Sequence, residues 1–508
     1  MAGAEPPQHL RCPGETRRAR DAWKTWSMRF VAVLSLLVVV ACGTNGDADA
    51  TKVRRVTDGG ADDGAKSRRP LADIWGMPAL EDENPDPDIV EVRLRAGKAR
   101  AVLDDKEIDV LAYNGTVPGP VLRARPGQRV IVHFENALDE PTTVHWHGLR
   151  IPDTMDGSPR IQDPVPPGGT FTYQFKVPEA ASFWYHPHVS THDQLERGLY
   201  GPIVIQDDLD PIYDLERFLV LDDVTLDAEG NIAPPKLDGL DGLTGRYGDL
   251  FLTNGKNAKT VKASAKKGQV ERWRLVNTAN ARKMRLRIEG ARWRLIATDG
   301  GLLEAPLEPK ELTLAVGGRL DVEVSYDTAG SVALVHDDGK ERTTMFAVDV
   351  EDGPDAPRTI PWPEVKPHVA ERAPKQEFEM SFDFVQQGAS AQWFINGESH
   401  WMEPILTVPQ GTTMRMRLVN AKGGIAHPFH LHGQFFRVEH PDWPGLRDTV
   451  QVPENEPITI VAYFDNPGTW MAHCHILEHA ELGFMAEIQV TSTGAPPPWT
   501  GPGGGHGH

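Results

Sequence analysis

The sequence predicts an all-β chain of three tandem Greek-key β-sandwich domains, and three observations carry that prediction. A segment that opens on Asn-Gly and closes on Asn occurs three times: NGTVPGPVLRARPGQRVIVHFEN from Asn114, NGKNAKTVKASAKKGQVERWRLVN from Asn254 and NGESHWMEPILTVPQGTTMRMRLVN from Asn396. The starts lie roughly 140 residues apart, a period that marks a domain rather than a solenoid repeat. Each copy holds alternating apolar stretches, such as Arg129 to Phe134 and Thr413 to Leu418, that suit half-buried strands. Pro-Gly, Asn-Gly and Gly-Gly turns punctuate them at short intervals, and no long amphipathic helix intervenes.

Taken in order, residues 1–42 read as an export signal. The apolar run FVAVLSLLVVVA from Phe30 to Ala41 follows Lys24 and Arg29, and it is too short for the roughly 20 residues that a bilayer span requires. Its ending, Val39-Val40-Ala41-Cys42, resembles a bacterial lipoprotein cleavage site, which makes Cys42 the expected lipidated residue. Removal by an ordinary signal peptidase is the alternative, and Met28 is an alternative start. This predicts an exported protein, periplasmic or at the cell surface, touching a bacterial membrane only through that lipid anchor. Residues 43–87 are rich in Gly, Asp, Lys, Arg and Pro without apolar periodicity, as in a flexible linker. The three sandwiches are expected at 88–208, 209–352 and 353–495, followed by a disordered Gly- and Pro-rich tail at 496–508.

The composition agrees with this layout. A chain of 508 residues has room for about three domains. Its 40% hydrophobic and 25% charged residues exclude wholesale disorder and a polytopic membrane protein. A formal charge of −19 argues against a nucleic-acid partner, which would need a basic face. There are 3 cysteines against 19 histidines, so a disulfide framework is nearly excluded while a histidine-rich metal site is not.

The histidines are patterned. Four His-x-His pairs occur: His145/His147 in HWHG, His186/His188 in WYHPH, His430/His432 in HPFHLHG and His473/His475 in HCHILEH. Chance placement would give roughly one such pair. In a strand, residues i and i+2 share a face, so each pair can aim two imidazoles at one point. Two pairs lie in the first copy and two in the third. The second copy offers only His336, with Arg285-Leu286-Arg287 where the third has its histidine motif. A cluster therefore belongs at the interface of copies one and three, with the middle copy a metal-free spacer. Cys474, lying between His473 and His475, must face away from them, where His479 and His427 can complete a two-imidazole, one-thiolate set of the blue-copper pattern. A structural zinc site needs four ligands and gives no reason for this paired arrangement. His133, His192, His336, His368, His400 and His440 lack partners at ligand spacing and are expected to be structural or surface residues.

With these motifs in place, the chain resembles the three-domain multicopper oxidases, the laccase-like family, over roughly residues 88 to 492. The resemblance implies three cupredoxin-like domains and four coppers per chain. It makes His427, Cys474 and His479 the type 1 ligands, and His145 and His430 the type 2 ligands. His147, His186, His188, His432, His473 and His475 become the ligands of a binuclear type 3 pair. The implied reaction is one-electron oxidation of a reductant at the type 1 copper, with four-electron reduction of dioxygen to water at the other three.

Asp156 in MDGSP matches the acid that the family uses to deliver protons, a simple turn aspartate being the competing reading. Two departures stand out. Phe484 occupies the position where many members carry a weakly ligating methionine, which predicts a type 1 site of comparatively high reduction potential unless a one-residue slip brings in Met485. Ala480 stands where several bacterial relatives have a glutamate, leaving Glu478 or Glu481 as the substitute proton relay.

Cuprous-ion oxidases of the family often carry a methionine-rich insertion over the type 1 site, whereas here the methionines are scattered, with only Met402, Met414 and Met416 near one another, so the resemblance implies a phenol or aromatic amine as reductant, with copper(I) oxidation in copper tolerance as the alternative. A non-catalytic scaffold is disfavoured because every ligand position is intact. A copper nitrite reductase, which typically assembles its catalytic copper between subunits, is disfavoured because both halves of the cluster lie in one chain. A monomer is expected.

Overall fold

Asn114, Asn254 and Asn396 all adopt left-handed backbone, with φ of 50°, 52° and 51°, each followed by a glycine of positive φ. Asparagine and glycine tolerate that region, which is why Asn-Gly closes a tight hairpin. In the computed structural model, which describes residues 69–492 apart from 354, 355, 367, 368, 370, 371, 401, 402, 422 and 423, the three turns are built alike. The asparagine Oδ1 accepts from Arg95 N at 2.7 Å, Val220 N at 2.7 Å and Ser381 N at 2.6 Å respectively. The Nδ2 group donates to Arg93 O, Phe218 O and Glu379 O, two residues earlier on the same neighbouring strand. The export signal with Cys42, the tail at 496–508, His368 and Met402 lie outside the described residues.

The pairing repeats as well. In each copy the strand that closes on asparagine runs parallel to the strand that pairs antiparallel with the one leading into the Asn-Gly turn: Ile89 beside Arg129, Leu215 beside Glu271 and Gln376 beside Met414. Six sheets result, two to a sandwich, and among the described residues the helices span no more than six residues. The face-to-face sheets bury Trp146, Tyr173 and Phe183 in the first sandwich, Trp273, Leu275 and Phe346 in the second, and Met416, Phe429 and Trp470 in the third. A smaller apolar seam joins the three, with Trp184, Phe218, Val276 and Leu477 in one cluster.

The linker expectation at 43–87 is corrected at its far end. Ile74–Trp75 forms a short strand parallel to Glu216 and Arg217, Ala72 N donates to Gln206 Oε1 at 2.9 Å, and Leu80 N donates to Val121 O at 2.9 Å. Residues 69–87 therefore strap onto the first two sandwiches. Two apolar residues are too few to show a period, and main-chain hydrogen bonds do the holding.

Candidate metal centre

Strand pairing sets the histidines. His145–His147 pairs antiparallel with Ser182–His186, which puts His145 opposite His186. His427–Leu431 pairs antiparallel with Gly468–Cys474, which puts His430 opposite His473 and Phe429 opposite Cys474. The first and third sandwiches then bring these motifs face to face. His145 stacks on His432 at 3.9 Å, and His147 stacks on His430 at 3.7 Å with the rings 12° from parallel.

The nitrogens converge. Ligand atoms of His147, His186 and His475 lie within 4.8 Å of one another, as do those of His145, His188 and His432, of His430, His432 and His473, and of His145, His147 and His430. The outer nitrogens are tied down. Nδ1 donates from His145 to Asp156 O at 2.9 Å, from His186 to Pro187 O at 2.9 Å, from His430 to Asp448 O at 3.0 Å and from His473 to Cys474 O at 2.9 Å. A neutral imidazole that donates from one nitrogen offers a lone pair at the other. With Nδ1 of each ring bonded elsewhere, His432 Nε2 and His473 Nε2 face each other at 3.1 Å, an arrangement that a shared metal ion would satisfy. The inward Nε2 atoms of His145, His188, His430 and His475 are buried without a hydrogen-bond partner among the described residues. Burial holds His475 down at about 3 and lowers His188 and His430 as well, so these three rings are neutral and ready to ligate near pH 7.

The second set lies on the other side of the Cys474 strand. Cys474 Sγ is 3.7 Å from His427 Nδ1 and 3.7 Å from His479 Nδ1, the latter brought back by the helical turn Leu477–Glu481. Burial pushes the thiol well above its ordinary value, so a thiolate at this position needs a cation beside it, and burial likewise holds His427 down at about 3. Two imidazoles and a thiolate match the trigonal donor set that suits copper in electron transfer.

Profiles of one family, described as multicopper oxidase, match residues 96–210, 221–345 and 371–494, one per sandwich. The multicopper oxidase MmcO of Mycobacterium tuberculosis is 30% identical over 442 residues, covering 78% of this chain and 86% of that protein. The chain belongs to the multicopper oxidases. Laccase-1 of Cryptococcus neoformans var. grubii is 28% identical to this oxidase, over 77% of this chain and 79% of its own. A multicopper oxidase from Campylobacter jejuni, described as a metallo-oxidase, superposes with a TM-score of 0.73 at 28% identity, covering 84% of this chain and 96% of that one. Membership makes the oxidase a copper-dependent oxidoreductase, and the donor sets just described fit copper.

The remaining expected residues of the oxidase fall in different places. Asp156 is buried against the cluster, its Oδ2 accepting from His432 Nδ1 at 2.8 Å and its Oδ1 lying 3.3 Å from His145 Nδ1. Phe484 is fully buried, edge-on to His427 at 4.9 Å and parallel to Trp393 at 5.3 Å, while Met485 packs with Met471 and Ala480. The slipped register that would carry Met485 into the thiolate set is thus not the one adopted. Glu478 is buried, its Oε1 accepting from Asn280 Nδ2 at 2.9 Å, and burial pushes its carboxyl up. Glu481 pairs with His192 at 3.0 Å nearer the surface. Among the described contacts neither glutamate bonds a cluster imidazole, so the structure does not bring them together with Asp156.

The middle sandwich is more than a spacer. Its Leu243 carbonyl accepts from His479 Nε2 at 3.2 Å, and its Gly242 carbonyl accepts from Trp393 Nε1 at 3.2 Å while that indole stacks on His479 at 4.0 Å. Its Gly317 lies against the cluster, where a Cβ would sit 2.8 Å from His475 Cδ2 and 3.1 Å from His147 Cε1. Asp448 and Thr449 were also missed. Asp448 Oδ1 is 3.5 Å from His147 Nε2, and Thr449 Oγ1 is 3.2 Å from His430 Nδ1. The only sequence signal for them is the strand Thr449–Val452, which Asp448 immediately precedes and which pairs with the His427 strand.

Proposed function

We propose that the oxidase is laccase-like, coupling one-electron oxidation of a phenol or aromatic amine to four-electron reduction of dioxygen to water, with four coppers per chain. His427, Cys474 and His479 would hold a type 1 copper, and His145 and His430 a type 2 copper. The triads His147, His186, His475 and His188, His432, His473 would hold a type 3 pair. The observation that carries this reading is the segment His473-Cys474-His475 at the end of the strand Gly468–Cys474, whose thiol belongs to one set while its flanking imidazoles belong to the other. Bound copper would supply one-electron acceptance at the first set and dioxygen reduction at the second.

The residues prepare both ends. Asp156 keeps Nδ1 of His432 protonated and aims its Nε2 inward, and its Oδ1, 3.3 Å from His145 Nδ1 and without a hydrogen-bond partner among the described residues, would be the oxygen that hands on a proton during dioxygen reduction. Phe484 and Trp393 exclude water and a fourth donor from the thiolate set, which favours a high reduction potential. Export, anchoring through Cys42 and a monomeric state belong to the same reading and rest on the sequence of residues 30–42 and on both histidine halves lying in one chain.

A second reading, oxidation of copper(I), is supported by the likeness to a protein described as a metallo-oxidase. Oxygen uptake by the copper-loaded protein decides between them. Four electrons from a phenol consumed per dioxygen, with slower turnover of copper(I), is the expected result. Faster copper(I) turnover would overturn the substrate assignment, and a colourless protein without bound copper would overturn the whole reading.

A further inference from the structure

The sandwich that supplies no candidate ligand places one cation beneath the histidine cluster. Arg319 opens the strand Arg319–Ser325 and is fully buried. Its Nε donates to Ser182 O in the first sandwich at 3.1 Å, and its Nη1 donates to Gly317 O in its own sandwich at 3.1 Å. Nη1 also donates to Asp448 Oδ1 in the third sandwich at 2.7 Å, while Nη2 donates to Asp448 Oδ2. The guanidinium thus grips Asp448 through both oxygens, the geometry that a planar fork provides and a point charge does not. Gly148, the glycine of HWHG, passes over this pair at φ +91°, and a Cβ there would collide with Arg319 Nη2 and Asp448 Oδ2. That motif glycine is explained by the clamp.

Asp448 transmits the grip to two rings, one from each ligand-bearing sandwich. Its main-chain oxygen accepts from His430 Nδ1 at 3.0 Å. Its Oδ1 lies 3.5 Å from His147 Nε2 and accepts from Thr449 Oγ1 at 2.8 Å, and that hydroxyl lies 3.4 Å from His147 Nε2. His147 is therefore turned with Nε2 outward and Nδ1 inward, 3.4 Å from His186 Nε2, whereas His430 presents Nε2. Which nitrogen each ring offers is set by the partner of the other nitrogen.

We propose that Arg319 is a positioning residue of the copper cluster: by clamping Asp448 it fixes the orientations of His147 and His430, and so governs retention of the type 2 copper from a domain that holds no metal. The inference rests on the copper reading given above. A buried ion pair that only stiffened the interface would affect all sites together, and the clamp predicts a selective loss.

The test uses the full chain loaded with copper, comparing wild type, Arg319→Lys and the double variant Arg319→Met with Asp448→Asn, which removes both charges of the clamp together while Asp299, the other buried acid beside Arg319, keeps Arg447 at 4.0 Å. Copper per chain, the blue absorption, the ratio of type 2 to type 1 electron paramagnetic resonance signals and the thermal midpoint are measured. The double variant is expected to lose type 2 signal about tenfold, the scale seen when a ligand's supporting partner is removed, with the blue absorption unchanged. Lysine is expected to restore only part of the signal. An unchanged ratio in the double variant overturns the proposal, as does parallel decline of both signals with a falling midpoint. If the double variant does not fold, Arg319→Lys decides: a lowered ratio supports the clamp and a wild-type ratio overturns it. A wild-type protein that holds thiolate-set copper but none at the histidines overturns both the clamp and the proposed function, which distinguishes the two failures.

Discussion

His427, Cys474 and His479 all come from the third sandwich, whereas the other set draws His145, His147, His186 and His188 from the first sandwich and His430, His432, His473 and His475 from the third. The walls differ in kind as well. Phe484, Trp393 and Phe382 surround the thiolate set, while carboxylates of Asp156 and Asp448 back the histidine set. One site takes all its ligands from a single domain under an apolar lining, the middle sandwich adding only main-chain acceptors for His479 and Trp393. The other exists only when two domains dock, and it needs charged supports to orient rings that belong to different folding units.

The largest effect on this contrast should come from Cys474→Ser. Blue absorption should vanish and turnover fall to background, while about three coppers remain on the chain because the histidine set does not use the sulfur. Loss of all copper would break the separation of the sites. Asp156→Asn comes next: turnover is expected to fall about 10- to 100-fold, with the blue colour intact and the solvent isotope effect altered. A variant with normal turnover and isotope effect would remove Asp156 from proton handling.

Mild urea should separate the sites physically, because an interface between domains opens before a sandwich core melts. The type 2 resonance signal is expected to disappear at lower urea than the blue absorption, and coincident loss would show that the split set is as robust as the local one. Phe484→Met is the smallest change. The type 1 potential should drop by about 60 mV, a tenfold shift for one electron, with the cluster signals unmoved. An unchanged or raised potential would defeat the apolar-wall explanation.

Much of this was legible in the sequence, because each ligand pair is written at the period of a strand. The face of Cys474 opposite to His473 and His475 follows from alternation alone, whereas the place of Phe484 beside His427 comes from the resemblance to the family and leaves a slip to Met485 open. Asp448 was not legible. A single acid in LRDTV carries no spacing that distinguishes it from a turn residue, and its role depends on Arg319 arriving from more than a hundred residues away. The carbonyl of Leu243 on His479 could not be read either, since every residue has a carbonyl and only the fold selects one. The strap at Ile74–Trp75 was hidden for a related reason, being held by main-chain pairing.

The three Asn-Gly hairpins carry a lesson for engineering. Asn254 makes the same pair of main-chain bonds as Asn114 and Asn396, although its sandwich contributes no imidazole to either set. The instructions for building the sandwich and those for loading it are therefore written in separate residues. Histidine pairs could be transplanted into the middle copy, or erased from an outer one, as edits to chemistry alone, with the hairpin asparagines left as the grammar that keeps each repeat folded.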